Sequence, residues 1–140
     1  MTKQQAGDIL IVEDSPDLVV LLSHLLKSEG FRVHVVSSGT EAIAAMEDIH
    51  PALVLLDVML PGIDGWEVCR RIRSHVSEGL AATPVVMLTV FSTAAHRIKA
   101  AGLGANEFIG KPFGLREVVT TIRRVLDAAR EGEPGALPAT

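Results

Sequence analysis

Five short runs rich in Val, Ile and Leu, each followed by a segment of helical character, limit this chain to very few architectures. The runs are "DILIVED" (8–14), "FRVHVV" (31–36), "ALVLLD" (52–57), "PVVMLT" (84–89) and "EFIGK" (107–111). The third and fourth are apolar almost throughout, the pattern of strands buried on both faces. Helical segments follow over 15–30, 40–49, 64–73, 93–104 and 115–130. In the first of these, Ser15 is placed as N-cap, Pro16 at the first helical position and Gly30 as the stop. Leu18, Leu21, Leu22, Leu25 and Leu26 recur there at helical spacing and predict one apolar face. In the last, Val118, Ile122, Val125 and Leu126 do the same.

Strands that alternate with helices predict an α/β domain with a parallel sheet covered on both faces. Five rounds of that alternation fit a flavodoxin-like, doubly wound, five-stranded sheet of order 2-1-3-4-5 with five helices. The chain has 140 residues, 48% hydrophobic and 21% charged, which is enough for one domain with a real core. That domain is expected over 8–130, with residues 1–7 as an N-terminal extension. "EGEPGALPAT" (131–140) reads as a flexible tail or linker stub.

A net charge of −4 gives no sign of a nucleic-acid surface. Arg70, Arg71 and Arg73, and again Arg123 and Arg124, read as solvated helix faces. Cys69 is the sole cysteine, so it reads as a buried, inert thiol in a reducing compartment. "MTKQQAGD" lacks the apolar core of a signal peptide, and no apolar run reaches membrane-spanning length. A cytoplasmic protein with no membrane insertion is the expectation.

In an open parallel sheet, ligands bind beyond the carboxyl ends of the strands, where the strand order reverses. Glu13 and Asp14 end the first run, Asp57 the third, Thr89 the fourth and Lys111 the fifth. The first and third strands are neighbours in the expected order, so three carboxylates meet in one crevice. Such a cluster repels itself unless a cation sits in it. Hard oxygen donors in an open site suit Mg²⁺. Taken singly, each residue has an ordinary reading as a cap, a strand residue or a surface lysine. Their convergence on one sheet edge favours a functional site.

The motifs "VED" (12–14), "LLDVMLPGIDG" (55–65), "VVMLT" (85–89) and "FIGKPF" (108–113) carry a resemblance. Over about residues 8–127 the chain resembles the receiver domain of two-component response regulators, including chemotaxis-type single-domain members. The resemblance implies that Asp57 is the phosphoacceptor for phosphoryl from a sensor histidine kinase or phosphotransfer protein. It implies Mg²⁺ bound by Asp14 and Asp57, by Glu13 through water, and by the Met59 backbone carbonyl. Lys111 would pair with phosphoryl oxygens, and its bond to Pro112 would be cis. Thr89 would move to bond the phosphoryl group, with Phe108 turning inward behind it. A downstream protein would read the surface formed by the 93–104 helix, the 107–111 strand and the 115–130 helix. The protein would be no enzyme, but a phosphoacceptor that promotes its own phosphotransfer and autodephosphorylation.

Four features depart from the common pattern. Val90 follows Thr89 where a small residue is usual, and the switch aromatic is Phe108 in a chain without Tyr. Met59 and Phe91 flank the path to the phosphoryl group, where neither side chain can hold a water. "GANEF" (104–108) departs from the commoner acidic pair before the aromatic, so a monomer or weak dimer is expected. Two other functions share the fold or the nucleophile. A flavin-binding module is disfavoured by the acids of "EDSPDL" (13–18), where a phosphate would sit. An Asp-nucleophile phosphatase would have a second acid at the position held by Met59. A receiver within a longer regulator with an output domain is the third alternative. The five histidines receive no role, and His24 is expected in or beside the packing.

Overall fold

The computed structural model describes residues 7–131. Most of the expected N-terminal extension and the expected tail beyond Glu131 lie outside the described residues. The elements run β1 (Asp8–Val12), α1 (Pro16–Ser28), β2 (Arg32–Val36), α2 (Gly39–Ile49), β3 (Leu53–Leu56) and α3 (Gly65–Arg73). They continue with α4 (Glu78–Ala81), β4 (Val85–Thr89), α5 (Ala94–Gly102), β5 (Glu107–Gly110) and α6 (Leu115–Arg130). All sheet pairings are parallel, and the order is β2-β1-β3-β4-β5. The reversal of strand order falls between β1 and β3.

Period-two alternation along the strands divides the core in two. Leu10, Val12, Val54, Leu56, Val85, Met87 and Phe108 face α2, α3 and α5. Ile9, Ile11, Leu53, Leu55, Val86, Leu88 and Ile109 face α1 and α6. In α6, Val118, Ile122 and Val125 are buried, as their spacing predicts. In α1 only Leu22 and Leu26 are fully buried, while Leu21 is 43% exposed. The five-leucine face is therefore wider than the stripe the sheet covers. His24, expected in or beside the packing, is exposed for the same reason: it lies outside that stripe.

The ends of α1 show which local signals acted. Ser15 occupies the N-cap position, but its side chain makes no capping bond; its backbone N–H goes instead to Glu13 Oε2 at 3.1 Å. At the other end Gly30 takes φ +96°, and its N–H bonds to the Lys27 carbonyl. The next N–H, from Phe31, bonds to the Leu26 carbonyl, completing a Schellman cap.

Among the described residues six helices form where five were expected, the extra one being the single turn α4. Ser77 caps it, with its hydroxyl accepting from Leu80 N–H. Arg73 does not lie on a solvated face. Its guanidinium donates to the carbonyls of Ala81, Thr83 and Gly104 and to Asn106 Oδ1 at 2.6–3.0 Å. Asn106 Oδ1 also accepts from Val85 N–H at 2.8 Å. One side chain thus ties α3, α4, the start of β4 and the turn before β5 together. A guanidinium has five N–H groups in a fixed fork, and here each finds an acceptor. Arg123 and Arg124 do lie on the surface, paired with Glu29 and Glu107. Among the described residues, no helix is long and apolar enough to cross a membrane.

Candidate functional site

The sheet register brings the site together. Val12 pairs with Leu56, so the next residues outward, Glu13 and Asp57, emerge side by side at the carboxyl edge. Backbone bonds continue past the strands, from Glu13 N–H to Val36 O and from Asp57 N–H to Val12 O, both at 3.1 Å. Thr89 pairs with Gly110, and Lys111 N–H bonds to Thr89 O at 2.8 Å. The cis bond between Lys111 and Pro112 follows directly.

Lys111 Nζ donates to Glu13 Oε1 at 3.1 Å and to Asp57 Oδ2 at 3.0 Å. Asp57 Oδ1 accepts from Met59 N–H at 3.1 Å. The cost of carrying a carboxylate 6% exposed at the head of an apolar strand is offset by these two bonds. Burial pushes the Glu13 carboxyl up, aided by the charge of Asp57 and opposed by the Ser15 N–H and Lys111. Burial acts against the Lys111 ammonium, yet its bonds to Asp57 and Glu13 outweigh that and move it upward.

Oxygens of Glu13, Asp14 and Asp57 lie within 4.8 Å of one another, with Asp14 exposed and the other two buried. Three carboxylates against the one ammonium of Lys111 leave two negative charges at the crevice. A hard divalent cation matches both that charge and the all-oxygen donor set. Each bonded carboxylate oxygen keeps a further lone pair, so the hydrogen bonds do not preclude coordination.

Thr89 is fully buried at the end of β4, and its hydroxyl accepts from Phe91 N–H at 3.2 Å. Met59 and Val90 stand on the rim, 53% and 55% exposed, with Phe91 half-buried beside them. Phe108 is buried under the Arg97 guanidinium, 5.1 Å above its ring. Gly65, which opens α3, backs the site. A Cβ there would collide with the Asp57 carbonyl oxygen and with Val58 Cα, so only glycine lets α3 start so close to Asp57.

Sequence reading missed an aromatic cluster at the mouth of the crevice. A groove of about 590 Å³ runs from Asp14 and Met59 past Phe91 to Trp66 and Lys99. His96, assigned no role from sequence, stacks on Trp66 and meets Phe91 at a tilt. These residues sit on α3, α5 and the loop after β4, so no periodic pattern links them along the chain.

A family model of the response regulator receiver domain matches residues 9–123. The chain belongs to the response regulator receiver domain family. Among similar proteins, the transcriptional regulatory protein GltR of Pseudomonas aeruginosa is 41% identical over 122 residues, 87% of this chain and 50% of that protein. The DNA-binding response regulator MtrA of Mycolicibacterium smegmatis is 36% identical over 129 residues, 92% of this chain and 54% of that protein. The receiver domain therefore spans about half the length of these curated relatives. It also matches the crystal structure of the BeF3-activated N-terminal receiver domain of Klebsiella pneumoniae RstA. That match has a TM-score of 0.78 and 31% identity over 85% of this chain and 97% of the other.

Proposed function

We propose that this receiver domain, over 8–130, is a phosphoacceptor that takes a phosphoryl group from the phosphohistidine of a sensor histidine kinase or phosphotransfer protein onto Asp57. The observation that carries the reading is Asp57 itself, a buried carboxylate held between Lys111 and the Met59 N–H beside two further acids. An Asp57 oxygen attacks phosphorus, the bond from phosphorus to the donor nitrogen breaks, and the imidazole leaves with that electron pair. The product is an acyl phosphate. Phosphoryl transfer needs mainly positioning and charge neutralisation. Lys111 stands close enough to follow its Asp57 partner and neutralise the phosphoryl oxygens. Thr89 can trade the Phe91 N–H for a phosphoryl oxygen, this time as donor.

The residues that would hold Mg²⁺ are Asp14 and Asp57, with Glu13 through water and the Met59 carbonyl. When bound, the ion supplies positive charge against the phosphoryl oxygens. The domain turns over no substrate of its own; it loses the group by hydrolysis. The surface of α5, β5 and α6 is proposed as the face a downstream protein reads, in a cytoplasmic protein acting as monomer or weak dimer. Relatives about twice the matched length are consistent with a receiver inside a longer regulator. The chemistry at Asp57 is the same in either setting.

Intact mass after incubation with acetyl phosphate and Mg²⁺ tests the proposal. The wild type is expected to gain one phosphoryl group, and Asp57→Asn none. Undiminished uptake by Asp57→Asn would assign the acceptor elsewhere.

A further inference from the structure

The ring of His96 lies 5.1 Å from that of Phe91, tilted by 42°, and 6.3 Å from that of Trp66, nearly parallel at 17°. Lys99 Nζ also lies over Trp66, 4.7 Å from its ring centroid. The imidazole is not free to turn away, because Nδ1 pairs with the Thr93 hydroxyl at 2.8 Å, and that hydroxyl also caps α5. One end of this row of rings is fastened to the site: Phe91 N–H bonds to Thr89 Oγ1 at 3.2 Å. The other end is the first turn of α3, which Gly65 seats directly on the Asp57 segment.

We infer that His96 is a positioning residue that couples the loop after Thr89 to α3, so that phosphorylation of Asp57 is felt at Trp66 as well as on α5, β5 and α6. The inference rests on the phosphoacceptor reading above. When the Thr89 hydroxyl turns to a phosphoryl oxygen, Phe91 N–H loses its acceptor and the loop is released. Phe91 then shifts against His96, and the nearly parallel stack passes the displacement to Trp66. Close-packed rings respond in this way because a gap opened on one side has no other atoms to fill it. Stacked aromatic pairs of this kind contribute beyond their buried area, so the row has an energetic stake in moving together.

Trp66 is the sole tryptophan of a chain that has no tyrosine, so its emission reports this position without interference. Acetyl phosphate transfers its phosphoryl group to Asp57 and leaves as acetate, and intact mass records the loading. With Mg²⁺ present before and after loading, the wild type is expected to show a change in Trp66 emission and amide shifts in residues 66–73. His96→Leu is expected to load Asp57 as fully by mass while losing most of both responses, and His96→Ala to behave likewise. Amide shifts at 106–118 are expected to persist in both variants, since that path does not pass through His96. Loading without a Trp66 response in the wild type would overturn the inference. So would an undiminished response in either loaded variant, because Trp66 would then sense the crevice directly. Failure of the wild type to gain mass would overturn the phosphoacceptor reading itself, and the coupling with it. A circular dichroism melt of each variant identifies any that fails to fold, and the other variant then decides the result.

Discussion

A carboxylate placed directly after four apolar residues needs fixed donors around it to offset its burial, and Asp57 has Lys111 and the Met59 N–H. Access to that carboxylate is a separate property of the rim. Hydrolysis of an acyl phosphate needs a water in line behind phosphorus, and Met59, Val90 and Phe91 offer no side chain to hold it. A phosphorylated form lasting minutes or longer is expected by acid-labile label decay. Met59→Asn combined with Phe91→Glu is expected to shorten that lifetime markedly; equal decay would show that water access is not limiting. Far from the site, Asp8 accepts from Arg32 Nε and Nη2 at 2.8 and 2.9 Å and meets His34 Nε2 at 2.9 Å. These hydrogen bonds, and then the charges behind them, hold its carboxyl down to about 2. A lowered value in the folded state means that ionised Asp8 stabilises the fold above the unfolded carboxyl range of about 4. That contribution is lost as pH falls from about 4 toward about 2. Arg32 is two-thirds exposed, so the effect is about 0.5–1 kcal/mol. Asp8→Asn is expected to lower Tm at neutral pH and to match the wild type near the acid end of that range.

At the scale of elements, Arg73 does what a hydrophobic contact cannot: it satisfies backbone carbonyls from α4, from the residue before Pro84 and from the turn before β5. Arg73→Met leaves those acceptors and Asn106 Oδ1 without it in a partly buried setting. A loss of about 2–4 kcal/mol is expected, read as a fall in Tm of roughly 10 °C. Arg73→Lys is expected to recover only part of it, because an ammonium cannot reach acceptors spread across a planar fork. The sequence offered no signal for this. An arginine two residues after two others looks like part of a charged face, and its acceptors come from segments up to 33 residues away. The single turn of α4 was missed for a related reason: four residues cannot display a helical period.

For the whole molecule, the crevice charge links metal and fold. Three acids balanced by one lysine favour a divalent cation, and any ligand that binds only the folded state raises stability by mass action. Adding Mg²⁺ is expected to raise Tm and a chelator to reverse it. In Asp14→Ala that response is expected to be largely lost, whereas the cation-free variant melts no lower than the wild type because one repulsive charge has gone. An unchanged Mg²⁺ response in Asp14→Ala would remove Asp14 from the ligand set.

The sheet order and the meeting of Glu13, Asp14, Asp57, Thr89 and Lys111 at one edge were legible in the sequence. β1, β3 and β4 each carry four consecutive apolar residues directly before a polar one, and parallel topology fixes which ends meet. The aromatic row of Phe91, His96 and Trp66 was not legible, since it depends on how α3 and α5 lie across a groove rather than on any spacing within one element. Nor did the sequence show that Leu21 and His24 fall outside the covered stripe of α1, which the width of the sheet decides.

Borohydride reduction of the loaded domain, followed by peptide mass mapping, tests the central claim most directly. Hydride converts an aspartyl phosphate to homoserine and leaves free carboxylates unchanged. After acetyl phosphate and Mg²⁺, homoserine is expected at position 57 and at no other aspartate. Reduction at Asp14, or a phosphoryl group found on a serine, threonine or histidine with position 57 still aspartate, would contradict the account.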